Sequence, residues 1–385
     1  MKLQKILHLS HTDIRADSRI LKEMGALEVS EKFELMGVGV KLEEGASSSK
    51  KNLKAKIVSV LLFSKSLSFL PKPIRYGLNM AELTIRLVYY GLKFKPVAVH
   101  CHDTFALPAG VLLKMALGCR LIYDAHELES DKNGQTPALS KATLIIEKWA
   151  WKRIDLLISV SDSINDWYID NLGLKPHLLI LNSPEIAKDV DENADGDIGE
   201  KYFHSLYGIP LEKKVFIYIG ILSEGRGIEL CLQVFAPEAV NAHVVFMGYG
   251  PLKPKIDSFA LKYSNIHLHK PIPHEQVVAI VKHADVGLCF VENVSLSDYY
   301  SLPNKLFEYA FSGLPVLASD FPEIGKVVRQ YSLGFCSAVD LDSMKKMISN
   351  IVDGSVPIAS GDFSELGWEA QAVRLNEAYD RLLEL

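Results

Sequence analysis

The segment YYSLPNKLFEYAFSGLPVLASD (299–320) combines residue types that suit the binding of a phosphate-rich ligand. Pro303 fits the first position of a helix, because the first N–H groups of a helix have no partner within it. The helix is predicted to begin at Pro303 or Asn304 and to end at Gly313. Its first turn presents these N–H groups and the positive end of the helix dipole, to which Lys305 adds a full charge. The spacing therefore predicts a diphosphate site at this helix start.

Glu308 is the only charged residue between Lys305 and Asp320. A carboxylate in so apolar a run needs a partner, because burying an unpaired charge carries a large free-energy cost. Its two oxygens suit hydrogen bonds from a vicinal diol such as that of ribose. The alternative is an ordinary helix glutamate that pairs with a lysine or faces solvent, and the spacing leaves both interpretations open.

A second basic position lies in YIGILSEGRGIEL (218–230), where a predicted strand turns into a helix. The glycines Gly220, Gly225 and Gly227 let the backbone approach a ligand closely. Arg226 precedes the helix, and its guanidinium suits charge-assisted hydrogen bonds to phosphate oxygens, worth about 1.5–3 kcal/mol each. Taken alone the turn is weakly specific, because it departs from the dinucleotide-binding fingerprint.

In the first half of the chain, HCHDTFALPAG (100–110) and YDAHELES (123–130) each follow an apolar strand. They place His126 and the weaker candidate Asp103 at the carboxyl ends of strands. A histidine titrates near neutral pH, so His126 suits donation to an oxygen or general-base catalysis. The alternatives are a structural loop histidine and a metal site, and no HExxH or matched HxH spacing supports a metal.

The opening loop HTDIRADSRI (11–20) offers two further weak candidates, Asp17 and Arg19, at the end of the first predicted strand. Arg19 lies where a helix is predicted to begin. Its guanidinium is expected either to pair with Asp17 or to contact an anion.

The elements that must position these residues are short apolar strands that alternate with helical patterns, in two series. The first series is KILHLS (5–10), ELMGVGV (34–40), VAVH (97–100), RLIYD (120–124), DLLISVS (155–161) and LLIL (178–181). The second series is VFIYIG (215–220), HVVFMG (243–248), NIHLH (265–269), DVGLCF (285–290) and PVLAS (315–319). This alternation predicts βαβ units and parallel sheets covered on both faces. The fold class is therefore α/β, with two doubly wound, Rossmann-like domains in tandem and ligands at the carboxyl ends of their strands.

The 385 residues divide into an N-terminal domain, 1–182, and a C-terminal domain, 204–365. Residues 183–203 between them are predicted to form a linker or surface loop. This segment begins with SPEIAKDVDENADGDIGE, which holds seven acids against one lysine and almost nothing apolar. Residues 366–385 repeat apolar positions at three- and four-residue spacing, which predicts a terminal amphipathic helix.

Composition excludes several classes of protein. The net charge of −5, from 42 basic and 47 acidic residues, shows no excess of base that would indicate a nucleic-acid-binding protein. No run of apolar residues is long enough to predict a transmembrane helix, and the opening MKLQKILHLSHTD has no signal-peptide cleavage site. The five cysteines are widely spaced, which favours a reducing compartment over a disulfide framework. We expect a cytoplasmic protein.

Residues 50–95 contain ten lysines and arginines, one acid and many large apolar residues. A surface of this kind attracts anionic lipid, at about 1 kcal/mol per basic residue near the membrane, and its apolar side chains can insert at the interface. Leu53, Ile57, Val60 and Leu61 have the spacing of an imperfect helical face. The alternative is a pair of ordinary helices with a solvated basic face. The first interpretation predicts peripheral attachment to the inner face of the plasma membrane.

Taken in order, these motifs resemble the retaining family 4 (group 1) glycosyltransferases of GT-B fold, especially bacterial enzymes of surface-polysaccharide assembly. The resemblance runs nearly the whole length of the chain. It rests on ILHLSHTDIRADSRILKEMGAL, HCHDTFALPAG, LIYDAHELES, YIGILSEGRGIE, SLPNKLFEYAFSGLPVLASD and the last helix with Trp368. It implies two domains that face each other across a cleft, with the helix of residues 366–385 crossing back onto the first domain.

The resemblance also implies roles for individual residues. Glu308 matches the glutamate that holds the ribose hydroxyls of the donor, and Arg226 matches the basic residue that grips the donor diphosphate. Asn304 and Lys305 match the phosphate- and sugar-facing start of the motif helix. His126 resembles the first-domain histidine that contacts the donor sugar near the reacting carbon, which makes it the candidate catalytic residue.

Two positions depart from the family pattern. Tyr300 stands where the family usually has the first glutamate of its E-x7-E motif, so that carboxylate contact to the donor sugar is missing or supplied elsewhere. Ile221 replaces a common arginine after the strand glycine, which leaves Arg226 as the main cation for the diphosphate.

The implied function is transfer of a sugar, with retention, from a nucleoside diphosphate sugar to a glycan or lipid-linked saccharide in cell-surface polysaccharide synthesis. No metal and no other cofactor is expected, because no DxD-like site stands in a suitable context. Two alternatives have the same donor. One is a nucleotide-sugar 2-epimerase-like isomerase, against which the PNKLFEY helix argues. The other is a non-catalytic nucleotide-sugar-binding scaffold, which Tyr300 makes conceivable.

Overall fold

The computed structural model describes residues 3–41, 53–185, 201–236, 240–273, 276–354 and 361–384. The chain forms two compact units, Met1–Leu181 with Gln371–Leu385, and Asn182–Ala370. Most of the predicted acidic linker, residues 186–200, lies outside the described residues, and so do residues 50–52 of the basic segment.

Within these residues, the first unit is built on a seven-stranded parallel sheet. Its strands are β1 Gln4–Leu9, β2 Phe33–Val40, β3 Lys56–Val60, β4 Ala98–His102, β5 Arg120–Ala125, β6 Leu156–Ser159 and β7 His177–Leu179. Their order across the sheet is β3-β2-β1-β4-β5-β6-β7. Its helices are α1 Ser18–Val29, α2 Lys72–Phe94, α3 Leu107–Leu117, α4 Pro137–Trp151 and α5 Asp162–Leu172.

The second unit has a six-stranded parallel sheet in the described parts of the chain. Its strands are β8 Lys214–Ile221, β9 Ala242–Tyr249, β10 Ile266–His269, β11 Val286–Cys289, β12 Val316–Ser319 and β13 Gly334–Ser337, in the order β10-β9-β8-β11-β12-β13. The helices that follow α5 are α6 Tyr202–Tyr207, α7 Ile228–Phe235, α8 Lys253–Ala260, α9 Val277–Val281, α10 Leu296–Tyr299, α11 Asn304–Phe311, α12 Pro322–Gln330, α13 Leu341–Asp353 and α14 Trp368–Leu383.

Both sheets confirm the predicted α/β class with two doubly wound, Rossmann-like domains. The strand order reverses between β1 and β4 in the first sheet and between β8 and β11 in the second, and ligands bind at the carboxyl ends of strands at such points. All the strands of both predicted series are present, and β3 and β13 are additional. None of the described helices combines the length and apolar character needed to cross a bilayer.

The segment after β2 contains a strand where its apolar spacing suggested a helical face. β3 pairs in parallel with β2, with Met36 opposite Lys56. The β-branched run IVSV supports a pleated strand, and pairing with β2 outweighs the local apolar spacing. The helical face is therefore wrong for the residues assigned to it, Leu53, Ile57, Val60 and Leu61.

Helix α11 is fixed against the second sheet by Tyr309, which is fully buried. Its hydroxyl donates to the Ile217 carbonyl at 3.0 Å and accepts from the Ile219 N–H at 3.1 Å, which ties the helix to β8. On β11, Gly287 leaves room for this ring, because a Cβ there would lie 2.5 Å from it. Since α11 connects β11 to the parallel strand β12, its start is held at the carboxyl edge of the sheet.

The terminal helix α14 contributes to the interior of the first unit from Gln371 onward. The Leu181 N–H donates to Gln371 Oε1 at 3.1 Å. Further along α14, the buried Tyr379 hydroxyl lies 2.8 Å from His100 Nδ1 on β4. The last residues of the chain therefore complete a buried polar layer of the first unit.

Replacing Gly287 with alanine is expected to destabilise the second unit by about 1–3 kcal/mol, because the added Cβ overpacks against the Tyr309 ring. Urea unfolding followed by circular dichroism measures this change. The matched control is Gly77→Ala in α2, where a Cβ meets nothing within 4 Å. That change should raise stability by about 0.5–1 kcal/mol or leave it unaltered. An unaltered free energy of unfolding in Gly287→Ala would contradict the tight docking of α11.

Candidate functional site

Lys305 lies in the first turn of α11 with its ammonium 3.6 Å from the centroid of the Tyr218 ring. The Nζ atom is buried and has no hydrogen-bond partner among the described residues. Pro303 is the N-cap and forms no side-chain cap, so no side chain satisfies the first N–H groups of the helix from that position. A buried ammonium and an uncapped helix start together favour an anionic ligand.

Arg226 lies in a turn whose two glycines have positive φ, 77° at Gly225 and 70° at Gly227. Gly227 also packs closely on Phe290, because a Cβ there would lie 2.4 Å from the Phe290 Cβ. The side chain of Arg226 is 37% exposed, and its Nη1 lies 3.9 Å from Asp298 Oδ1. The turn therefore presents a partly exposed guanidinium with a carboxylate at the limit of ion-pair distance.

Charged groups from two other segments of the second unit influence the pKa of the Cys289 thiol, at the end of β11. Burial raises the pKa of Cys289 to about 12, and the charges of Lys305 and Arg226 lower it while that of Glu308 raises it. Glu308 is itself buried and lies one turn after Lys305 on α11. Arg226, Lys305 and Glu308 are therefore all near enough to the carboxyl end of β11 to influence the Cys289 thiol.

Asn304 and Tyr300 flank this group. Asn304 is exposed at the first position of α11, and Tyr300 is half-buried at the end of α10 with its ring 5.4 Å from that of Tyr299. The sequence did not indicate Asp298, which is buried two residues before Tyr300 and pairs with Arg226. Its proximity to Arg226 depends on strands distant in sequence, which no local spacing reveals.

In the first unit, the fully buried Asp124 at the end of β5 is the centre of a network of charges. The Arg19 guanidinium donates two hydrogen bonds to it, from Nε to Oδ2 at 3.0 Å and from Nη2 to Oδ1 at 2.8 Å. His126 Nε2 lies 3.0 Å and His102 Nδ1 3.2 Å from Oδ2. Burial alone would raise the pKa of Asp124, but the charges of Arg19 and His126 hold it well below its usual range.

The Arg19 guanidinium contacts the carboxylate of Asp124 and not that of the neighbouring Asp17. Asp17 is the N-cap of α1 and accepts hydrogen bonds from the backbone N–H groups of Arg19 and Ile20, each at 3.1 Å. The Arg19 guanidinium is buried against Asp124 instead, and its Nη1 donates to the Ile180 carbonyl at 2.9 Å. Asp124 is 105 residues away in the chain, so local spacing could not reveal this partner.

Two carboxylates hold His126 in its protonated form. His126 Nδ1 lies 3.8 Å from Asp103 Oδ1, and Nε2 lies 3.0 Å from Asp124 Oδ2. Burial alone would lower the pKa of His126, but the charges of Asp103 and Asp124 outweigh it and raise the pKa to about 10. An imidazolium donates hydrogen bonds and cannot accept a proton. Of the two chemical roles predicted for His126, these contacts favour donation to an oxygen over general-base catalysis.

Three buried histidines, His8, His100 and His102, form a cluster next to His126. The ring centroids of His100 and His102 on β4 are 4.3 Å apart, and His8 Nδ1 on β1 lies 3.0 Å from His102 Nε2. Burial is the main cause that lowers their pKa values, to about 3 for His100. The H-x-H alternation in HCHDTFALPAG puts His100 and His102 on one sheet face, and the register pairs His100 with His8. This alternation is the signal by which the sequence could have indicated the cluster.

Two overlapping groups in this network offer ligand atoms within 4.8 Å of one another, His8, His100 and His102, and Glu23, His100, His102 and Asp124. A metal ion in the second group would compete with Arg19, whose Nε lies 3.1 Å from Glu23 Oε1 and 3.0 Å from Asp124 Oδ2. Burial and the charge of Asp124 raise the pKa of Glu23, which opposes its ionisation, whereas the charge of Arg19 favours it. The guanidinium therefore already supplies the positive charge that this acidic group requires.

Asp103→Asn is expected to lower the pKa of His126, because it removes one of the two charges that raise it. Titration of the full chain by NMR, with isotope-labelled histidine, measures the change. The raised pKa also predicts a pH dependence: protonated His126 contributes stability that is fully present below pH 6.5 and is lost as pH rises through about 10. Asp166→Asn, at an exposed acid on α5, is the matched control and should leave the titration unaltered. A His126 that loses its proton below pH 7 in the unsubstituted protein would contradict this electrostatic arrangement.

Two family models match the chain, one in each unit. The model described as Glycosyl transferases group 1 matches residues 213–353, and the model described as Glycosyltransferase Family 4 matches residues 46–181. No curated protein sequence gives a significant match.

Solved structures share the fold over nearly the whole chain. Sucrose-phosphate synthase from Thermosynechococcus elongatus is 15% identical with a TM-score of 0.77, covering 99% of each chain. HepE from Anabaena, in complex with UDP-glucose, is 12% identical with a TM-score of 0.70, covering 98% of this chain and 99% of that one. UDP-GlcNAc 2-epimerase from Methanocaldococcus jannaschii is 10% identical with a TM-score of 0.57, covering 98% and 100%. Identities this low show the GT-B fold alone, and the epimerase shows that the fold does not by itself select the reaction. The family follows from the two family models, which together cover more than half of the sequence: the chain belongs to the group 1, family 4 glycosyltransferases.

Proposed function

We propose that the protein transfers a sugar, with retention of its anomeric configuration, from a nucleoside diphosphate sugar to a glycan or lipid-linked saccharide acceptor. The observation that carries this proposal is the Lys305 ammonium, buried without a hydrogen-bond partner in the described part of the chain, at the uncapped start of α11. In a glycosyltransferase, an anion receptor of this kind suits the diphosphate of the donor.

Different residues of the second unit are proposed to bind different parts of the donor. Arg226, Lys305 and the backbone around Asn304 bind the diphosphate, and Glu308 accepts hydrogen bonds from the ribose hydroxyls. Because the HepE structure holds UDP-glucose, a UDP-sugar is the first candidate donor.

In the proposed reaction, the bond between the anomeric carbon and the diphosphate oxygen breaks, and the diphosphate keeps the electron pair. Cations and N–H dipoles already in place stabilise the growing negative charge most in the transition state. The acceptor hydroxyl forms the new bond on the face that the diphosphate leaves, and its proton passes to a diphosphate oxygen. The chain's own cations carry this charge in the proposal, without a metal or another cofactor.

His126 is proposed to contact the donor sugar near the reacting carbon. Its imidazolium, held by Asp103 and Asp124, is suited to donate to a sugar oxygen. Asp103 then acts through His126, and Tyr300 remains a weaker candidate for contact with the sugar or the acceptor.

Incubation with UDP-, GDP- and dTDP-sugars and with glycan or glycolipid acceptors tests the proposal. Arg226→Ala, Lys305→Ala and Glu308→Ala are each expected to lower kcat/KM by about ten- to a thousandfold, because each removes a group that stabilises the bound donor or its departing diphosphate. The anomeric configuration of the product, determined by NMR, should equal that of the donor.

Lys262→Ala is the matched control for Lys305→Ala. Lys262 also lies above a tyrosine ring, 5.0 Å from the Tyr263 centroid, but it is exposed on the surface. Folded variants of the three donor-site residues with undiminished transfer would contradict the proposal. Release of an epimerised donor would support the isomerase instead, and nucleotide-sugar binding without turnover would support a scaffold.

We further propose that the protein reaches a lipid-linked acceptor at an anionic membrane surface, through the described part of residues 50–95. Large apolar side chains with more than half of their surface exposed crowd one short stretch, Leu61, Phe63, Phe69, Ile74 and Tyr76. Lys65, Lys72 and Arg75 lie among them. An anionic bilayer complements this charge and accepts the apolar side chains at its interface. The expected position is the inner face of the plasma membrane.

The one acid of this segment is paired within the protein. Glu82 on α2 accepts hydrogen bonds from the N–H groups of Phe63 at 3.0 Å and Ser64 at 2.8 Å, and it pairs with Arg86. These contacts outweigh the effect of burial and lower the pKa of Glu82 to about 2. The carboxylate also fixes the turn from which Phe63 projects.

Replacing Phe63, Phe69 and Tyr76 together with serine is expected to weaken sedimentation with phosphatidylglycerol-containing vesicles by about tenfold or more, because apolar insertion is lost. Phosphatidylcholine vesicles should bind the unsubstituted protein poorly. The matched control replaces Leu174 and Leu261, which are 86% and 91% exposed elsewhere on the chain, with serine. Equal binding to both kinds of vesicle, or full binding by the triple variant, would contradict this surface.

A further inference from the structure

We infer that Glu292 is a positioning residue that fixes Arg226 for the donor diphosphate, an inference that rests on the proposed function. Glu292 follows β11, in the loop that leads to α10. Its backbone N–H donates to the Gly225 carbonyl at 2.9 Å, and its Oε1 accepts from the Gly227 N–H at 3.1 Å. Because Arg226 lies between these two glycines, Glu292 holds the backbone on both sides of it.

The turn needs such a restraint because glycine is the most flexible residue and both glycines have positive φ. Gly227 is also the N-cap of α7 and has no side chain with which to cap the helix. The Glu292 carboxylate accepts a hydrogen bond from the N–H of this N-cap residue, as the glutamate of a capping box does, at a helix start where a negative charge is favourable. A turn held in one conformation loses less entropy when its arginine binds phosphate oxygens.

The loop that carries Glu292 is itself anchored to the sheet. The Val291 N–H donates to Ser319 Oγ at 2.8 Å, and Ser319 Oγ donates to the Val291 carbonyl at 2.8 Å. Farther along the same stretch, Asp298 Oδ1 faces the Arg226 guanidinium at 3.9 Å. The segment from β11 to α10 therefore restrains the Arg226 backbone through Glu292 and faces its side chain with Asp298.

The charge of Glu292 and its hydrogen bond to Gly227 predict opposite effects of a substitution on anion binding. A carboxylate near the phosphate-binding arginine would weaken anion binding if it acted through its charge alone, so neutralising it would tighten binding. If it acts as a hydrogen-bond acceptor for Gly227, glutamine preserves the contact and alanine removes it. Glu292→Gln and Glu292→Ala therefore separate the two effects.

Titration calorimetry of the full chain with UDP, GDP, dTDP and their monophosphates tests this inference. Glu292→Ala is expected to weaken binding of the preferred diphosphate by about five- to tenfold, which is the effect of one lost hydrogen bond. Binding of the corresponding monophosphate is expected to weaken less. Glu292→Gln should bind within about twofold of the unsubstituted protein. Because Glu292 acts through Arg226, the double variant Arg226→Ala/Glu292→Ala should bind no more weakly than Arg226→Ala alone.

The outcomes distinguish this inference from the proposed function. If Arg226→Ala weakens diphosphate binding while Glu292→Ala does not, or if the two losses add, the positioning role is overturned and the donor site stands. If Arg226→Ala leaves diphosphate binding unaltered, or if the unsubstituted protein binds none of the three diphosphates, the proposed donor site is overturned and this inference with it. Tighter binding by Glu292→Gln would show that Glu292 acts through its charge.

Discussion

The free-energy cost of burying charged groups at the carboxyl ends of parallel strands governs the polar interior of both units. In the first unit, groups of the chain itself compensate the buried charge of Asp124. This carboxylate accepts two hydrogen bonds from Arg19 and lies within 3.2 Å of His102 and His126. In the second unit the Lys305 ammonium is buried without a hydrogen-bond partner among the residues that the structure describes. The central carboxylate of the first network is therefore paired within the chain, whereas the second unit contains a cation whose acceptor a ligand can supply.

A cation receives a ligand effectively only if the backbone that carries it is held in place. For Lys305 this restraint is Tyr309, whose hydroxyl bridges two backbone groups of β8 and whose ring fills the space that Gly287 leaves on β11. For Arg226 it is Glu292, which binds the backbone of both adjacent glycines. In both cases another residue makes hydrogen bonds to main chain. For Lys305 this residue lies on the same helix, and for Arg226 it lies in a neighbouring loop. The binding side chains themselves thereby remain available.

Local features were predictable from the sequence, and features that depend on distant pairing were not. The two strand series and the start of α11 were predicted because apolar runs and a helix-starting proline are local signals. β3 was missed because its short run IVSV was interpreted as part of a helical face, and its strand character depends on pairing with β2. The partner of Arg19 lies 105 residues away, and His8 meets His100 only through the register of β1 and β4. For Glu308, spacing allowed both a solvent-facing and a buried position, and only the packing of α11 shows that it is buried.

The two arginines that the sequence singled out differ in a way that decides which one can bind a ligand. Arg19 makes a short, two-armed contact with Asp124, and only 3% of its side chain is exposed. Opening that pair would leave a buried charge uncompensated, so Arg19 stabilises the fold. Arg226 is 37% exposed, and its Nη1 lies 3.9 Å from Oδ1 of the buried Asp298, which is beyond hydrogen-bond distance. A diphosphate oxygen at hydrogen-bond distance offers about 1.5–3 kcal/mol. In the proposed reaction, Arg226 can therefore exchange its contact with Asp298 for the donor diphosphate and return to it on release.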